Sequence, residues 1–422
     1  MKGLIVGVKL DNIESDKFNE ELEELKNLAV ACDIDVVDVV TQELPEFNPK
    51  TYVGKGKVQE IKQYGEALEC DVIIFNDELS PVQIANLDNQ IEMLIYDRTY
   101  LILEIFKSRA RTREAILQVE LASLSYMLPR LSSLRSGMSR QRGTGGGFAH
   151  GRGAGETKLE LDRRITNDKI AKIKQELKEL TGKRKQQRIK RNKSIIKNVA
   201  LVGYTNSGKS SLMNAFLRIK SSDEEKKVME KDMLFATLET STRKISTSFG
   251  DFILTDTVGF IEKLPHMLVE AFKSTLEEIT EADLLIHVVD ASNEKFLNQI
   301  ETTNKVLSEV GVKDIPIIYA FNKIDKVADY LYIPKEYPQA VRISAIKDIN
   351  INVLLKKVID ELYNDYLDYT FIVPYDHQGD LYKIKEYAIN FEVQYGDDHI
   401  TINCKAPKQI GEKYKGIIKK AD

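Results

Sequence analysis

Short apolar runs alternate with amphipathic stretches over the first hundred residues, give way to longer helical periods, and then return. Gly3 to Leu10 and Asp35 to Val40 read as strands, and Val72-Ile73-Ile74-Phe75 and Met93-Leu94-Ile95-Tyr96 as buried strands. Phe18 to Ala31 places Leu22, Leu25 and Leu28-Ala29 on one helical face, so residues 1–98 predict an N-terminal α/β domain. From Thr99 a helical period runs through Leu101, Ile105, Ile116, Val119 and Leu124, with Arg109, Arg111 and Arg113 on the other side, until Pro129 ends it. Leu159 to Leu180 repeats Ile170, Ile173, Leu177 and Leu180 at three-four-three spacing. Residues 99–194 are therefore expected to form a long antiparallel helical hairpin with the intervening segment at its tip.

Short runs return at Val199 to Val202, Phe252 to Thr255, Ile315 to Phe321 and Ala340 to Ile343. Residues 195–368 predict a mostly parallel sheet with helices on both faces. The remainder, 369–422, reads as a small C-terminal α/β module with strands at Phe371 to Val373, Ile389 to Tyr395 and His399 to Cys404 and a helix near Leu381 to Tyr387. The fold class is α/β throughout.

The 422 residues, 42% hydrophobic and 30% charged, suffice for two to four domains with substantial cores. A net charge of −4 argues against a uniformly basic nucleic-acid binder. Cys32, Cys70 and Cys404 are too scattered for a disulfide framework or a zinc site, which favours a reducing compartment. Met1 to Val8 reads as a strand rather than a signal peptide, and no run approaches membrane-spanning length. A cytoplasmic monomer is expected.

The candidate chemistry starts at Gly203-Tyr204-Thr205-Asn206-Ser207-Gly208-Lys209-Ser210-Ser211, between a strand-like run and a helix-like one. This is the spacing of a loop whose amides cradle a polyphosphate at a helix N-terminus. Lys209 would reach the β- and γ-phosphates and Ser210 would ligate Mg²⁺. Downstream, Asp256-Thr257-Val258-Gly259 offers a carboxylate for the Mg²⁺ shell and a Gly259 amide for the γ-phosphate. Asn322-Lys323-Ile324-Asp325 supplies the base contact. The Asp325 carboxylate accepts from guanine N1–H and its exocyclic amine, whereas adenine has neither donor there, and sites built this way discriminate on the order of 10⁴-fold. Ser344-Ala345 closes over the base. The four elements, in this order, predict a GTP site.

Phe235-Ala236-Thr237-Leu238 would form the first switch, with Thr237 contacting Mg²⁺ and the γ-phosphate and Thr240 and Thr242 as competitors. Phe260 follows Gly259, where Ras-like enzymes carry a water-orienting glutamine; a phenyl ring neither donates nor accepts, so slow basal hydrolysis is expected. Lys209, Thr237, Gly259 and Phe260 are thus the catalytic candidates. Asn206 is either a K⁺ ligand beside the β/γ-bridge or a stabiliser of its own loop.

Seven glycines between Gly143 and Gly155 sit beside Arg140, Arg142, His150 and Arg152, and Lys183 to Lys193 is a basic run with no acid in it. The first stretch is either an RNA contact, with Phe148 stacking on a base, or a solvated linker in which Phe148 is an apolar anchor. Val53-Gly54-Lys55-Gly56-Lys57 reads as a basic turn opening a helix.

These residues resemble the HflX-type, ribosome-associated GTPases. The resemblance is carried by Gly54-Lys55-Gly56-Lys57, Asp97-Arg98-Thr99, Arg109 to Glu114, Gln118 to Ala122, Leu128-Pro129-Arg130-Leu131, Gly155 to Arg164, Phe235 to Leu238 and Asp256 to Ile261. It implies a factor that binds the large ribosomal subunit and its rRNA through its N-terminal and helical regions and that, with GTP bound, splits or rescues stalled ribosomes. A GTPase of subunit assembly or RNA modification and a non-catalytic RNA-binding scaffold are the alternatives.

Overall fold

The parallel pairing of β1 (Lys2–Leu10) with β2 (Asp35–Leu44) starts the chain, and β1 then pairs in parallel with β3 (Val72–Phe75) and β3 with β4 (Leu94–Asp97), giving the order β2-β1-β3-β4. The computed structural model describes residues 1–131, 152–191, 196–219, 241–247, 250–327, 332–337, 339–415 and 418–419. The switch candidates Phe235, Ala236, Thr237, Leu238 and Thr240 and the RNA candidates Arg140, Arg142, Phe148 and His150 lie outside the described residues.

Leu4, Val6 and Val8 point from β1 into a core with Val58, Ile61, Leu87 and Ile91 of α2 (Lys55–Ala67) and α3 (Pro81–Ile91). Ser80 caps α3 reciprocally with Gln83. The opposite face meets α1 (Ser15–Ala31): a Cβ on Gly7 would come within 2.8 Å of Leu22. The helix at Gly54 begins as a simple βα turn, with Gly54 as the N-cap of α2.

The helical stretch after Thr99 differs from its sequence reading. It is two helices, α4 (Arg98–Arg109) and α5 (Arg113–Met127), because Thr112 caps the second by accepting from the Ala115 amide at 3.2 Å. That break resets the helical phase. Ile116, expected in the apolar stripe, is 41% exposed, while Ala115, Val119, Ala122 and Tyr126 are buried. A single 40-residue helix, α6 (Arg152–Arg191), follows, and Arg152 opens it rather than lying in a glycine-rich loop. Arg113 of α5 pairs with Glu176 of α6 through two hydrogen bonds of 2.8 and 2.9 Å.

The second sheet has the order β10-β9-β8-β5-β7-β6, from β5 (Lys197–Val202), β6 (Ser241–Thr247), β7 (Gly250–Asp256), β8 (Leu284–Asp290), β9 (Ile317–Asn322) and β10 (Val341–Arg342). All pairs are parallel except β6 with β7. One face packs on α7 (Lys209–Arg218) and, through α11 (Ile351–Leu362), on Leu354, Leu355 and Val358; the other packs on Phe296 and Ile300 of α10 (Phe296–Val310). Between them in the chain, α8 (His266–Ala271) and α9 (Lys273–Thr280) follow β7. Helices on both faces let the central strands be buried throughout, as Leu284–Val289 are, apolar at every position but His287.

The C-terminal module is a split βαββαβ unit: β11 (Tyr366–Pro374), α12 (Gln378–Tyr387), β12 (Ile389–Tyr395), β13 (His399–Pro407), α13 (Lys408–Lys413) and β14 (Ile418–Lys419), in the order β12-β13-β11-β14. Phe371, Val373, Ile384, Ile400 and Ile402 form its core.

By contact the chain divides into two compact units. One comprises Met1–Lys183 together with Ile261–Ser274; the other holds Thr240–Phe260, Thr275–Asp422 and the segment from Arg184 that carries β5 and α7. The division cuts the chain immediately after Phe260. No helix among the described residues is long and apolar enough to cross a membrane.

Candidate functional site

At the end of β5 the backbone takes a path that side chains obstruct. Gly203 has φ +146°, and a Cβ there would sit 2.3 Å from the Val288 carbonyl; Gly208 has φ +92°, and its Cβ would meet Asn322 Nδ2 at 2.2 Å. Only glycine fits either position. Gly208 is the N-cap of α7 and brings no side chain to cap it, so the first-turn amides of the helix are left for the loop to present. Asn206, in the left-handed region at φ +57°, is exposed at the crest of the turn, while Thr205 and Ser207 are buried and Tyr204, Ser210 and Ser211 half-buried.

Lys209 opens α7 and is 6% exposed, its ammonium donating to the Gly203 and Tyr204 carbonyls at 3.0 and 2.8 Å. Burial pulls its pKa down to about 8, the Asp256 carboxylate opposing and Lys323 adding to the shift. A polyphosphate beside this ammonium would favour its charged form. Ser210 Oγ donates to Asp256 Oδ2 at 2.6 Å, so the hydroxyl at the start of α7 and the carboxylate at the end of β7 converge. Both are hard oxygen donors, the set that suits Mg²⁺ when phosphate oxygens and water complete its shell. Among the described residues no group of three or more His, Cys, Asp or Glu could hold a metal by itself.

Thr257 anchors the next loop by donating to the Leu201 carbonyl at 2.6 Å. Gly259 passes so close to the phosphate loop that a Cβ would lie 2.7 Å from Thr205 Cα and 3.1 Å from Lys209 Nζ. Phe260 is bonded to the same loop through its backbone: its N–H donates to Gly203 O at 3.2 Å and its carbonyl accepts from the Thr205 N–H at 2.7 Å. Its ring is 1% exposed.

The other end of the site is tied in by Asn322, at the end of β9. Its amide nitrogen donates to the Ser207 carbonyl and its amide oxygen accepts from the Ala345 N–H, both at 2.9 Å. One buried side chain thus holds the phosphate loop and the loop after β10 in register. Lys323, at φ +64°, pairs with Asp290 at 2.7 Å, and Asp325 stands exposed in the turn Ile324–Lys326. Ser344 is fully buried and accepts from the Lys347 N–H at 3.2 Å.

The structure therefore brings together residues 203–211, 256–260, 322–325 and 344–345. Thr242, a competitor for the first switch, lies within β6 beside Thr255. Sequence reasoning missed Asp290, whose place at the end of an apolar strand is a weak signal among the 65 acids of the chain. It also missed His287 on β8, 1% exposed, tilted 33° against the Tyr319 ring at 5.2 Å. Burial, helped by Lys209, pushes its pKa down to about 3, so the imidazole is neutral. Its signal in the sequence is a lone histidine inside the apolar run Leu284–Val289.

A phosphate loop on β5, a carboxylate loop on β7 and a guanine-type Asn-Lys-x-Asp turn on β9 of one parallel sheet define the class: this is a P-loop GTPase. Three family models match in succession, described as GTP-binding GTPase N-terminal (residues 19–107), GTP-binding GTPase middle region (109–191) and 50S ribosome-binding GTPase (198–323). The chain is 42% identical over 407 residues to GTPase HflX of Caldanaerobacter subterraneus subsp. tengcongensis, covering 96% of this chain and 92% of that protein. It is 39% identical over 401 residues to GTPase HflX of Escherichia coli (strain K12), covering 93% and 91%. Among solved structures, a GTP-binding protein from Sulfolobus solfataricus in complex with GDP aligns over 86% of this chain and 99% of that one, at 25% identity and a TM-score of 0.44. The chain belongs to the HflX family of GTPases.

Proposed function

We propose that this GTPase binds the large ribosomal subunit and uses its nucleotide state to split or rescue stalled ribosomes in the cytoplasm, acting as a monomer. Family membership and the description of the family matched by residues 198–323 support the ribosomal partner. Residues 1–98 and 99–194, including Arg140, Arg142, Phe148, His150 and Arg152, would supply the rRNA contacts, 195–368 the switch and 369–422 a packing module.

In the proposed site, Lys209 and the amides of residues 203–211 hold the polyphosphate. Ser210, Asp256 and Thr237 hold Mg²⁺, which would neutralise charge developing on the β- and γ-oxygens. Asn322 and Lys323 fix the loops around the base, Asp325 reads guanine, and Ser344-Ala345 closes over it. Gly259 reports the γ-phosphate. Asn206, exposed at the crest of the loop, would be either a K⁺ ligand or a stabiliser of its own loop.

One observation carries the partner-dependent part of this reading. The residue in the water-orienting position, Phe260, is buried and fastened to the phosphate loop by its own backbone. It offers the attacking water no hydrogen bond, so turnover waits for a partner to order the switches. Purified large subunits should accelerate phosphate release at least tenfold above the basal rate, a gain of about 1.4 kcal/mol in barrier height. A rate unchanged by saturating subunits would refute it.

A further inference from the structure

A closed circuit of contacts joins the phosphate loop to the loop after β10. One side of it is Asn322, which ties the Ser207 carbonyl to the Ala345 N–H, both at 2.9 Å. The other side starts from the same alanine: Arg218 Nη2 donates to the Ala345 carbonyl at 2.7 Å. Both backbone polar groups of Ala345 are therefore taken. Arg218 is the last residue of α7, the helix that opens at Lys209 directly after the phosphate loop. One helix thus carries phosphate-loop residues at its first turn and grips the loop after β10 at its last, about 14 Å away at 1.5 Å per residue.

That loop is shaped to be held. Ser344 and Ile349 bond to each other in both directions, at 3.2 and 3.0 Å, and Ser344 Oγ accepts from the Lys347 N–H, which closes residues 344–349 into a tight turn. Asp348 at φ +55° and Asn350 at φ +56° take the left-handed conformation, which Asp and Asn tolerate better than other side chains. Asn350 Nδ2 fastens the far end of the turn by donating to the Arg342 carbonyl at 2.9 Å. Asp348 Oδ1 accepts from Arg218 Nη2 at 2.8 Å, so one guanidinium nitrogen serves a carbonyl and a carboxylate. Asp348 is exposed whereas Ala345 is buried; the carbonyl contact is the stronger constraint, and the carboxylate chiefly aims the guanidinium.

We propose that Arg218 is a positioning residue for guanine-nucleotide binding: by holding the Ala345 carbonyl it keeps the loop over the base shut and sets how long the nucleotide stays. This rests on the assignment of Ser344-Ala345 to the base. Asn322 grips Ala345 from the sheet and Arg218 grips it from the helix. Without Arg218 the loop hangs on Asn322 and its own internal bonds, opens more readily, and lets the nucleotide go sooner. The length of α7 separates Arg218 from Lys209 and Ser210, so the chemistry of a bound triphosphate is left alone. Arg218 acts through the Ala345 backbone.

The test is stopped-flow release of mant-GDP from the full chain, alongside single-turnover hydrolysis at saturating GTP and a melting curve for each variant. Arg218→Met, which keeps the apolar stem, should release mant-GDP about tenfold faster, the scale of losing a hydrogen bond from a charged donor. Its single-turnover rate should stay within about twofold of the parent, the spread expected of a distant, independent site. Arg218→Lys keeps a point charge without the planar fork, and its release rate should fall between the two. Asp348→Asn retains the left-handed turn and should speed release less than Arg218→Met does. The double variant should release no faster than Arg218→Met alone, because both act on one contact. Unchanged release, or release and hydrolysis altered in parallel, would overturn the proposal. Asp325→Asn, measured beside these, separates the two ways of failing: weakened mant-GDP binding there with unchanged release from Arg218→Met sinks only the Arg218 tie, whereas no change in either variant sinks the base-site assignment with it.

Discussion

The molecule contains one parallel and one mostly parallel sheet whose strand order reverses at a central strand, and the carboxyl ends of those strands are finished in opposite ways. After β5 the chain turns on Gly203 and Gly208 and leaves backbone amides at the start of α7, with one buried lysine. After β1 and β3 the corresponding crevice is packed with Glu21, Asp77, Asn76 and Arg98 and closed by Lys263. Topology sets where a site can form in both. The residues decide whether the place receives an anion or a side chain of the same protein.

The comparison breaks most completely at Lys209. Lys209→Ala removes the only charged donor that the phosphate-loop sequence carries, and hydrolysis should fall on the order of 10²–10³-fold, as when a preorganised donor to developing charge is lost; phosphate release measures it, and a melting curve checks that the fold survives. Next comes the base end. Asp325→Asn keeps size but replaces one acceptor oxygen with a donor, so the preference for GTP over ATP should drop about a hundredfold, part of the discrimination such a buried mismatch commands. Competition binding with the two nucleotides reads it, and an undiminished guanine preference would remove Asp325 from the base contact.

The smallest effect concerns the neutral imidazole beneath the phosphate loop. His287 has its pKa pushed from 6.5 down to about 3 in the fold. The unfolded chain therefore binds a proton the folded one refuses between those values, so stability is lost as pH falls from 6.5 toward 3. The slope from this one group reaches about 1.4 kcal/mol per pH unit. His287→Leu should flatten the dependence of urea midpoints on pH between 6 and 4; an unchanged slope would mean that the imidazole already titrates normally.

Much of the nucleotide site was legible because its chemistry demands fixed residue types at short spacing. Gly203, Gly208, Lys209 and Ser210 lie within one loop, and Asp256 and Asn322 each end an apolar run that reads as a strand. The packing of the helices was less so. Leu101 and Val119 carry the same apolar signal whether or not Thr112 interrupts them, so the break at Ala110 and the exposure of Ile116 follow from a single capping hydroxyl. The Lys263 clasp was not legible at all. Its partner Glu21 lies 242 positions away, and a lysine followed by Leu264 and Pro265 has no local reason to be other than solvated.

These parts meet in one proposed coupling: the γ-phosphate held by the loop after β5 would govern whether the chain engages the ribosomal partner proposed for it. Co-sedimentation with purified large subunits tests it most directly, with the chain loaded with a non-hydrolysable GTP analogue, with GDP, or with neither. The account predicts at least tenfold tighter association with the analogue, a difference of about 1.4 kcal/mol. Equal association in all three conditions would contradict it.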